Sequence, residues 1–229
     1  MSPQRPTLPV ILTPTPIPSD EVHLWVVDLD LGTSDATRRI AAVAPHEHER
    51  AARFRRPEDR ERFLAAHGAL RLILGEYVAE NPIGLLLAAD ERGKPFLADR
   101  RTQLDLQFNL SHSGGLALVA VAAARQVGVD IEQIRSMPDL DGVAERVCSA
   151  AELTALSALA GPQRESAFFA MWTRKEALAK ATGEGIQAIV REPVAEPGEG
   201  WTLVEVNDLP GYAACVAAEG KGWQLVRRT

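Results

Sequence analysis

The chain has 229 residues, of which 46% are hydrophobic, enough for one large domain or two small ones with a proper core, and this excludes a disordered chain. Its net charge of −6 argues against a general nucleic-acid binder. The two cysteines, Cys148 and Cys215, belong to no CxxC or Cys/His cluster, which excludes a zinc ribbon or a disulfide framework and suits the reducing cytoplasm.

The N-terminus, MSPQRPTLPVILTPTPIPSD, is proline-rich and has no long apolar run. It fits neither a signal peptide nor a membrane span. Residues 1–19 read as a loosely ordered leader lying along the domain surface. A strand follows, VHLWVVDLD (22–30). A helix starts at Pro45, since proline suits the first helical turn. A longer one runs from about Glu58 to Glu80, with Phe63, Ala66, Leu70, Ile73 and Leu74 at helical spacing, and Asn81-Pro82 ends it. DERGKPFLAD (90–99) reads as a loop punctuated by Gly93 and Pro95. Three strands come next: LDLQFNLSH (104–112), GLALVAVAA (115–123) and VGVDIEQI (127–134).

Ser149 and Glu152 form an S-x-x-E capping box that opens a helix at SAAEL. Gly161-Pro162 breaks the chain. A long helix, SAFFAMWTRKEALAKATG, then stops near Gly183 and Gly185. The tail carries strands WTLVEV (201–206), YAACVAA (212–218) and WQLVRR (223–228).

A faint repeat is visible. Asp28-Leu29-Asp30 and Asp130-Ile131-Glu132 lie about 102 residues apart, and each is followed by a short helix, a long helix and antiparallel strands. The predicted fold is therefore α+β: two similar halves, 20–124 and 125–229, each an antiparallel sheet with packed helices, related by a pseudo-two-fold axis around one cleft.

Four segments carry chemistry. In a strand, residues i and i+2 share a face, so Asp130 and Glu132 project together. Two carboxylates this close repel unless a proton or cation neutralises them, and Mg²⁺ is the natural partner because it prefers oxygen ligands. The plain alternative is a solvated strand end. Trp172, Glu176 and Lys180 lie at i, i+4 and i+8, so Glu176 and Lys180 can point to a site while Trp172 and Ala179 pack inward. The plain alternative there is an ordinary Glu–Lys pair. In FNLSHS (108–113), Ser111 and His112 end a strand, where His112 can bind an anion or move a proton. No Ser-His-Asp arrangement, P-loop or GxGxxG is present. Arg50, Arg53, Arg55, Arg56, Arg60 and Arg62 crowd one segment, which reads mostly as a salt-bridged surface with one or two arginines left to meet a phosphate.

Together, GKP (93–95), FNLSHS, GVDIE (128–132) and WTRKEALAKATGEG (172–185) resemble the 4′-phosphopantetheinyl transferases, in particular the larger pseudo-dimeric type that activates peptide and polyketide synthases. The resemblance spans about Arg50 to Gly185. It implies transfer of the phosphopantetheine arm of coenzyme A to a serine of an apo carrier protein, with release of adenosine 3′,5′-bisphosphate. It implies Mg²⁺ held by Asp130, Glu132 and Glu176, with Lys180 stabilising phosphoryl charge and the acid at Glu132 taking the serine proton in some accounts of the family. Ser111, His112 and Lys94 match positions that contact coenzyme A, and Arg50 and Arg62 fall near positions that bind its 3′-phosphate and adenine. Glu47 stands where some members carry a second lysine. The Asp28/Asp30 pair has no WxxKEA partner; its half carries HGALRLIL (67–74) instead.

An acidic carrier protein needs an apolar and basic docking surface, expected between Glu132 and Glu176 around Met137, Leu140, Val143 and Phe168. The duplicated halves imply a monomer. Two other readings share the acidic set: a different Mg²⁺-dependent phosphodiesterase or nuclease, and a non-catalytic module that binds carrier proteins. Fatty-acid, polyketide and non-ribosomal peptide carriers all fit as acceptors.

Overall fold

Alternation decides the layers. In β5 (Leu116–Ala123), Ala117, Val119 and Val121 belong to one core, while Leu118, Ala120 and Ala122 belong to another. A strand with two apolar faces needs a cover on each. On one side lies the helix α3 (Pro57–Val78); on the other lies a second sheet. The computed structural model describes residues 14–30, 33–98, 105–186 and 200–228. Of the proline-rich leader, residues 1–13 lie outside these. Thr15 donates its amide to the Glu76 carbonyl, and Ile17 packs on the first core, so this stretch runs along α3.

The first sheet has the order β4-β5-β1-β9, from β4 (Leu106–Ser113), β5, β1 (Glu21–Asp28) and β9 (Gln224–Arg228). The second has the order β6-β8-β7, from β6 (Val127–Gln133), β8 (Tyr212–Glu219) and β7 (Trp201–Glu205). Val127, Val129 and Ile131 of β6 and Ala214, Val216 and Ala218 of β8 meet Val22, Leu24 and the inner face of β5 between the sheets. Outside the second sheet lies α6 (Gly161–Thr182), packed on Cys215 and Ala217. The result is four layers, helix, sheet, sheet and helix.

The duplication is visible in the topology. The order β4-β5-β1 recurs as β7-β8-β6, and the long helices α3 and α6 each have 22 residues. One feature departs from two antiparallel sheets. β9 crosses back to pair with β1, in parallel, so the last strand of the second half belongs to the first sheet.

Several local expectations are corrected. Two helices are additional: α1 (Thr33–Ala41) and α4 (Leu140–Val147). The short helix at Pro45 is α2 (Pro45–Ala51), and the SAAEL helix is α5 (Ala150–Ser157), opened by the Ser149/Glu152 box. Gly161-Pro162 separates α5 from the long helix as expected, but α6 begins at this pair rather than at SAFFAM, because proline costs nothing in the first turn. The 90–99 loop is a hairpin tip: β2 (Leu87–Ala89) pairs with β3 (Pro95–Leu97) around Gly93. The docking surface expected around Met137, Leu140, Val143 and Phe168 is largely core. Leu140 and Phe168 are buried, and Met137 and Val143 pack on the same cluster, because α4 and α5 need an apolar anchor on α6.

Candidate active site

The site forms where β6 meets α6. Gly128 makes this possible. A Cβ there would lie 2.2 Å from the Ala177 carbonyl oxygen and 2.4 Å from the Ala181 nitrogen, so only glycine lets strand and helix approach this closely. Two residues on, Asp130 faces the same helix, and Lys180 reaches it. The Lys180 Nζ donates to Asp130 Oδ1 at 2.6 Å and to Ser111 Oγ at 3.0 Å. Ser111 in turn donates to the same Oδ1 at 2.8 Å.

The neighbouring edge is unusual. β6 pairs with β8 on one side; on the other, its amides are met by β4 side chains. Val129 donates to Asn109 Oδ1 (3.0 Å), Ile131 to Ser111 Oγ (3.4 Å) and Gln133 to Ser113 Oγ (3.1 Å). Asn109, Ser111 and Ser113 alternate along one face of β4, so a polar ladder does the work of a pairing strand and joins the two sheets. Sequence reasoning missed Asn109 and Ser113 as functional residues. The signal was there: three polar side chains at period two in a strand whose other face carries Leu106, Phe108 and Leu110 before His112.

Three carboxylates lie within electrostatic reach of one another. Burial raises the pKa of Asp130, against the opposing pull of Lys180 and Ser111. Burial also raises that of Glu132, with Asp130 adding to it and Ser113 opposing. Glu176 is raised by burial, then by Asp130 and Glu132, against Lys180. Asp130 is 3% exposed, and its Oδ2 is buried with no hydrogen-bond partner. Such an atom is costly unless a cation or donor meets it. Among the described residues no three Asp, Glu, His or Cys side chains already stand as a metal cage. The donor set nonetheless suits a hard cation: all carboxylate oxygen, crowded by charge, with one oxygen unpaired.

A cleft of about 320 Å³ opens beside these groups, lined by Lys94, Pro95, Asn109, Leu110, Glu176 and Lys180 among others. His112 is exposed and lies within electrostatic reach of Lys180. The bulk of protein around the ring lowers its pKa, followed by the positive charge of His67 and Lys180; Asp59 opposes, and Arg50 adds a last downward push. Arg50 and Lys180 thus bring positive potential to His112, which suits a phosphate. His67 was not singled out from the sequence; it lies one turn before Arg71 on α3.

The structure gives Glu47 another role than the missing lysine suggested. Glu47 is 5% exposed and accepts from the Ala44 amide (2.8 Å) and from Arg71 Nε (2.6 Å), while its other oxygen meets His67 Nδ1 at 2.9 Å. It is the buried cap of α2, and it ties α2, which carries Arg50, to α3, which carries His67. The Arg50 guanidinium sits over the Phe63 ring, 5.3 Å from its centre.

Two predicted ligand residues are engaged elsewhere. Arg62 donates to both oxygens of Asp30 at 3.1 and 3.2 Å. Lys94 lines the cleft, but its ammonium donates to Gln126 Oε1 (2.7 Å) and to the Ala181 carbonyl (2.8 Å), one of the free carbonyls at the end of α6. Trp172 packs inward on the α4–α5 cluster, and Ala179 is buried, as the spacing predicted.

Comparison with known proteins gives the family. Residues 126–224 match the family model of the 4′-phosphopantetheinyl transferase superfamily, and residues 32–125 match that of the 4′-phosphopantetheinyl transferase N-terminal region. The chain is 41% identical over 215 residues to the 4′-phosphopantetheinyl transferase HetI of Nostoc sp. (strain PCC 7120), covering 90% of this chain and 91% of that protein. It is 30% identical over 190 residues to a 4′-phosphopantetheinyl transferase of Bacillus subtilis, covering 82% and 81%. Against Sfp of Bacillus subtilis strain 168 the identity is 27% over 160 residues, covering 70% and 69%. The chain belongs to the 4′-phosphopantetheinyl transferase family, and it is an enzyme.

Proposed function

We propose that this enzyme transfers the 4′-phosphopantetheine arm of coenzyme A to a serine hydroxyl of an apo acyl or peptidyl carrier protein, requires Mg²⁺, and releases adenosine 3′,5′-bisphosphate. One observation carries the metal-dependent reading: the buried, unpartnered Oδ2 of Asp130, beside Lys180 and within electrostatic reach of Glu132 and Glu176. A buried carboxylate oxygen without a donor is what a metal ligand looks like before its ion is considered.

Asp130, Glu132 and Glu176 would hold the ion. When bound, Mg²⁺ supplies Lewis-acid stabilisation of charge on the pyrophosphate oxygens. The protein's own part is positioning and electrostatics, which dominate phosphoryl transfer. Lys180 brings a cation to the phosphoryl group and the leaving group. His112, with Arg50 and His67 around it, binds the 3′-phosphate, and that anion would raise its lowered pKa. We assign Glu132 as the base for the serine proton. Ser111 contacts coenzyme A from the strand end. Arg62 and Lys94 join the phosphate contacts by exchanging Asp30 and the Ala181 carbonyl for phosphate oxygens.

The acidic chain suits a protein partner over nucleic acid, and no helix among the described residues is long and apolar enough to cross a membrane. The inter-sheet core joins both halves within one chain, which supports a monomer, and two free, buried cysteines are in keeping with the cytoplasm. The test is product analysis: the protein is incubated with coenzyme A and apo carrier protein, with Mg²⁺ or with EDTA, and adenosine 3′,5′-bisphosphate is measured by chromatography. Release that needs both carrier and Mg²⁺ is expected. Release without carrier points to a phosphodiesterase. No release, with coenzyme A still bound, points to a binding module.

A further inference from the structure

The two serines of the β4 ladder share a geometry that says where their protons go. Ser113 Oγ accepts from the Gln133 amide at 3.1 Å and lies 2.8 Å from Glu132 Oε2. A hydroxyl has one proton to give. The amide can only donate, so the Ser113 proton is directed at Glu132. Ser111 repeats the device beside Asp130: it receives from Ile131 N and Lys180 Nζ and donates to Oδ1. Each serine thus converts a strand amide into a hydroxyl donor aimed at the carboxylate next to it on β6.

The turn that follows Ser113 is itself held in place. Gly115, just past the strand end, donates its amide to Tyr212 Oη at 3.1 Å. A Cβ on Gly114 would lie 2.6 Å from Gln133 Oε1 and 2.9 Å from Tyr212 Oη, so side chains of the second half grip this turn closely. Gly114 has φ +54°, which permits the turn without strain. These contacts hold the backbone that carries Ser113 beside Glu132.

We infer that Ser113 is a positioning residue: it fixes Oε2 of Glu132 and leaves the other carboxylate oxygen for a cation or a proton. This rests on the transferase reading and goes beyond it, since Ser113 itself touches neither substrate nor reacting atoms. The hydrogen bond selects one rotamer of a flexible side chain that a metal or a base role would require to be in register. Groups of this kind, one bond removed from a ligand, typically change metal affinity or activity by about ten- to a hundredfold when removed.

The test uses full-length protein with Ser113→Ala and Ser113→Thr. Three quantities are read: kcat and KM for coenzyme A in carrier modification, binding of Mn²⁺ alone by electron paramagnetic resonance, and the melting temperature. Ser113→Ala should lower kcat by about ten- to a hundredfold and weaken Mn²⁺ binding by about tenfold, with KM for coenzyme A unchanged. Ser113→Thr keeps the hydroxyl and should restore both. Wild-type kcat and Mn²⁺ affinity in Ser113→Ala would overturn the inference. Equal impairment of both variants, tracking a fall in melting temperature, would also overturn it by showing a merely structural role. Wild-type protein that neither transfers nor binds Mn²⁺ would overturn the transferase reading itself, and this inference with it.

Discussion

Replacing Glu47 tests how the cationic side of the cleft is built. The carboxylate is buried, and its pKa falls from 4.5 to about 2: burial pushes upward, but His67, the Ala44 amide and Arg71 together outweigh it. A carboxyl lowered this far contributes about 3 kcal/mol of stability at neutral pH. The sign follows from the direction. The contribution is complete above the unfolded-state value near 4.5 and is lost as pH falls toward 2, at about 1.4 kcal/mol per pH unit in between. Among the described residues, Arg71, 1% exposed, would keep the Pro82 and Leu85 carbonyls alone if Glu47 were removed. Glu47→Ala should therefore cost about 3–5 kcal/mol, the range for stranding one charge of a buried pair. The assay is urea unfolding followed by tryptophan fluorescence at several pH values between 7 and 3.5. The gap between wild type and Glu47→Gln should be constant above about pH 5 and narrow below it. A loss under about 1 kcal/mol for Glu47→Ala, or a gap that does not change with pH, would refute the buried-network account.

Three further predictions follow from the packing. Gly128→Ala forces a Cβ onto α6 backbone, which cannot swing aside as a side chain can, so it should cost about 1–3 kcal/mol and separate Asp130 from Lys180; a variant with wild-type melting temperature and activity would contradict the close approach. Asp30→Ala should keep activity and lose at most about 1 kcal/mol, because the Arg62–Asp30 pair is exposed, whereas Asp130→Ala should abolish transfer; equal losses in two folded variants, measured side by side, would sink the assignment. Lys175, wholly buried, pairs with Glu152 at 2.9 Å and so ties α5 to the helix carrying Glu176. Lys175→Ala should destabilise by about 3 kcal/mol in urea, and a change within about 0.5 kcal/mol would show that the pair does not hold the helices.

Much of the site was legible because its chemistry is local. The period of two in GVDIE puts both acids on one face, and four-residue spacing puts Glu176 and Lys180 on one side of α6. The Ser149/Glu152 box was legible for the same reason: both hydrogen bonds lie within four residues. What was hidden depends on distant partners. Nothing near Gln224–Arg228 says that β9 will pair in parallel with β1, some two hundred residues earlier. Glu47 looked like a substituted ligand because its partners, His67 and Arg71, lie 20 and 24 residues on. Phe168 and Leu140 looked like a docking patch because the apolar face of α4, a helix not foreseen, was missing from the count. Arg62 and Lys94 were assigned to phosphate by their match to the family's positions, and the acceptors that engage them here, Asp30 and the end of α6, are brought near only by the fold.

The central claim is that the acids at the β6–α6 junction drive transfer of a phosphopantetheine arm. Intact-protein mass spectrometry tests it most directly. Apo acyl and peptidyl carrier proteins are incubated with coenzyme A and Mg²⁺, together with either the wild-type protein or Asp130→Ala. The account predicts that wild-type protein adds one phosphopantetheine mass to at least one carrier, and that Asp130→Ala, folded by circular dichroism, adds none. Addition by both proteins at similar rates, or by neither, would contradict it.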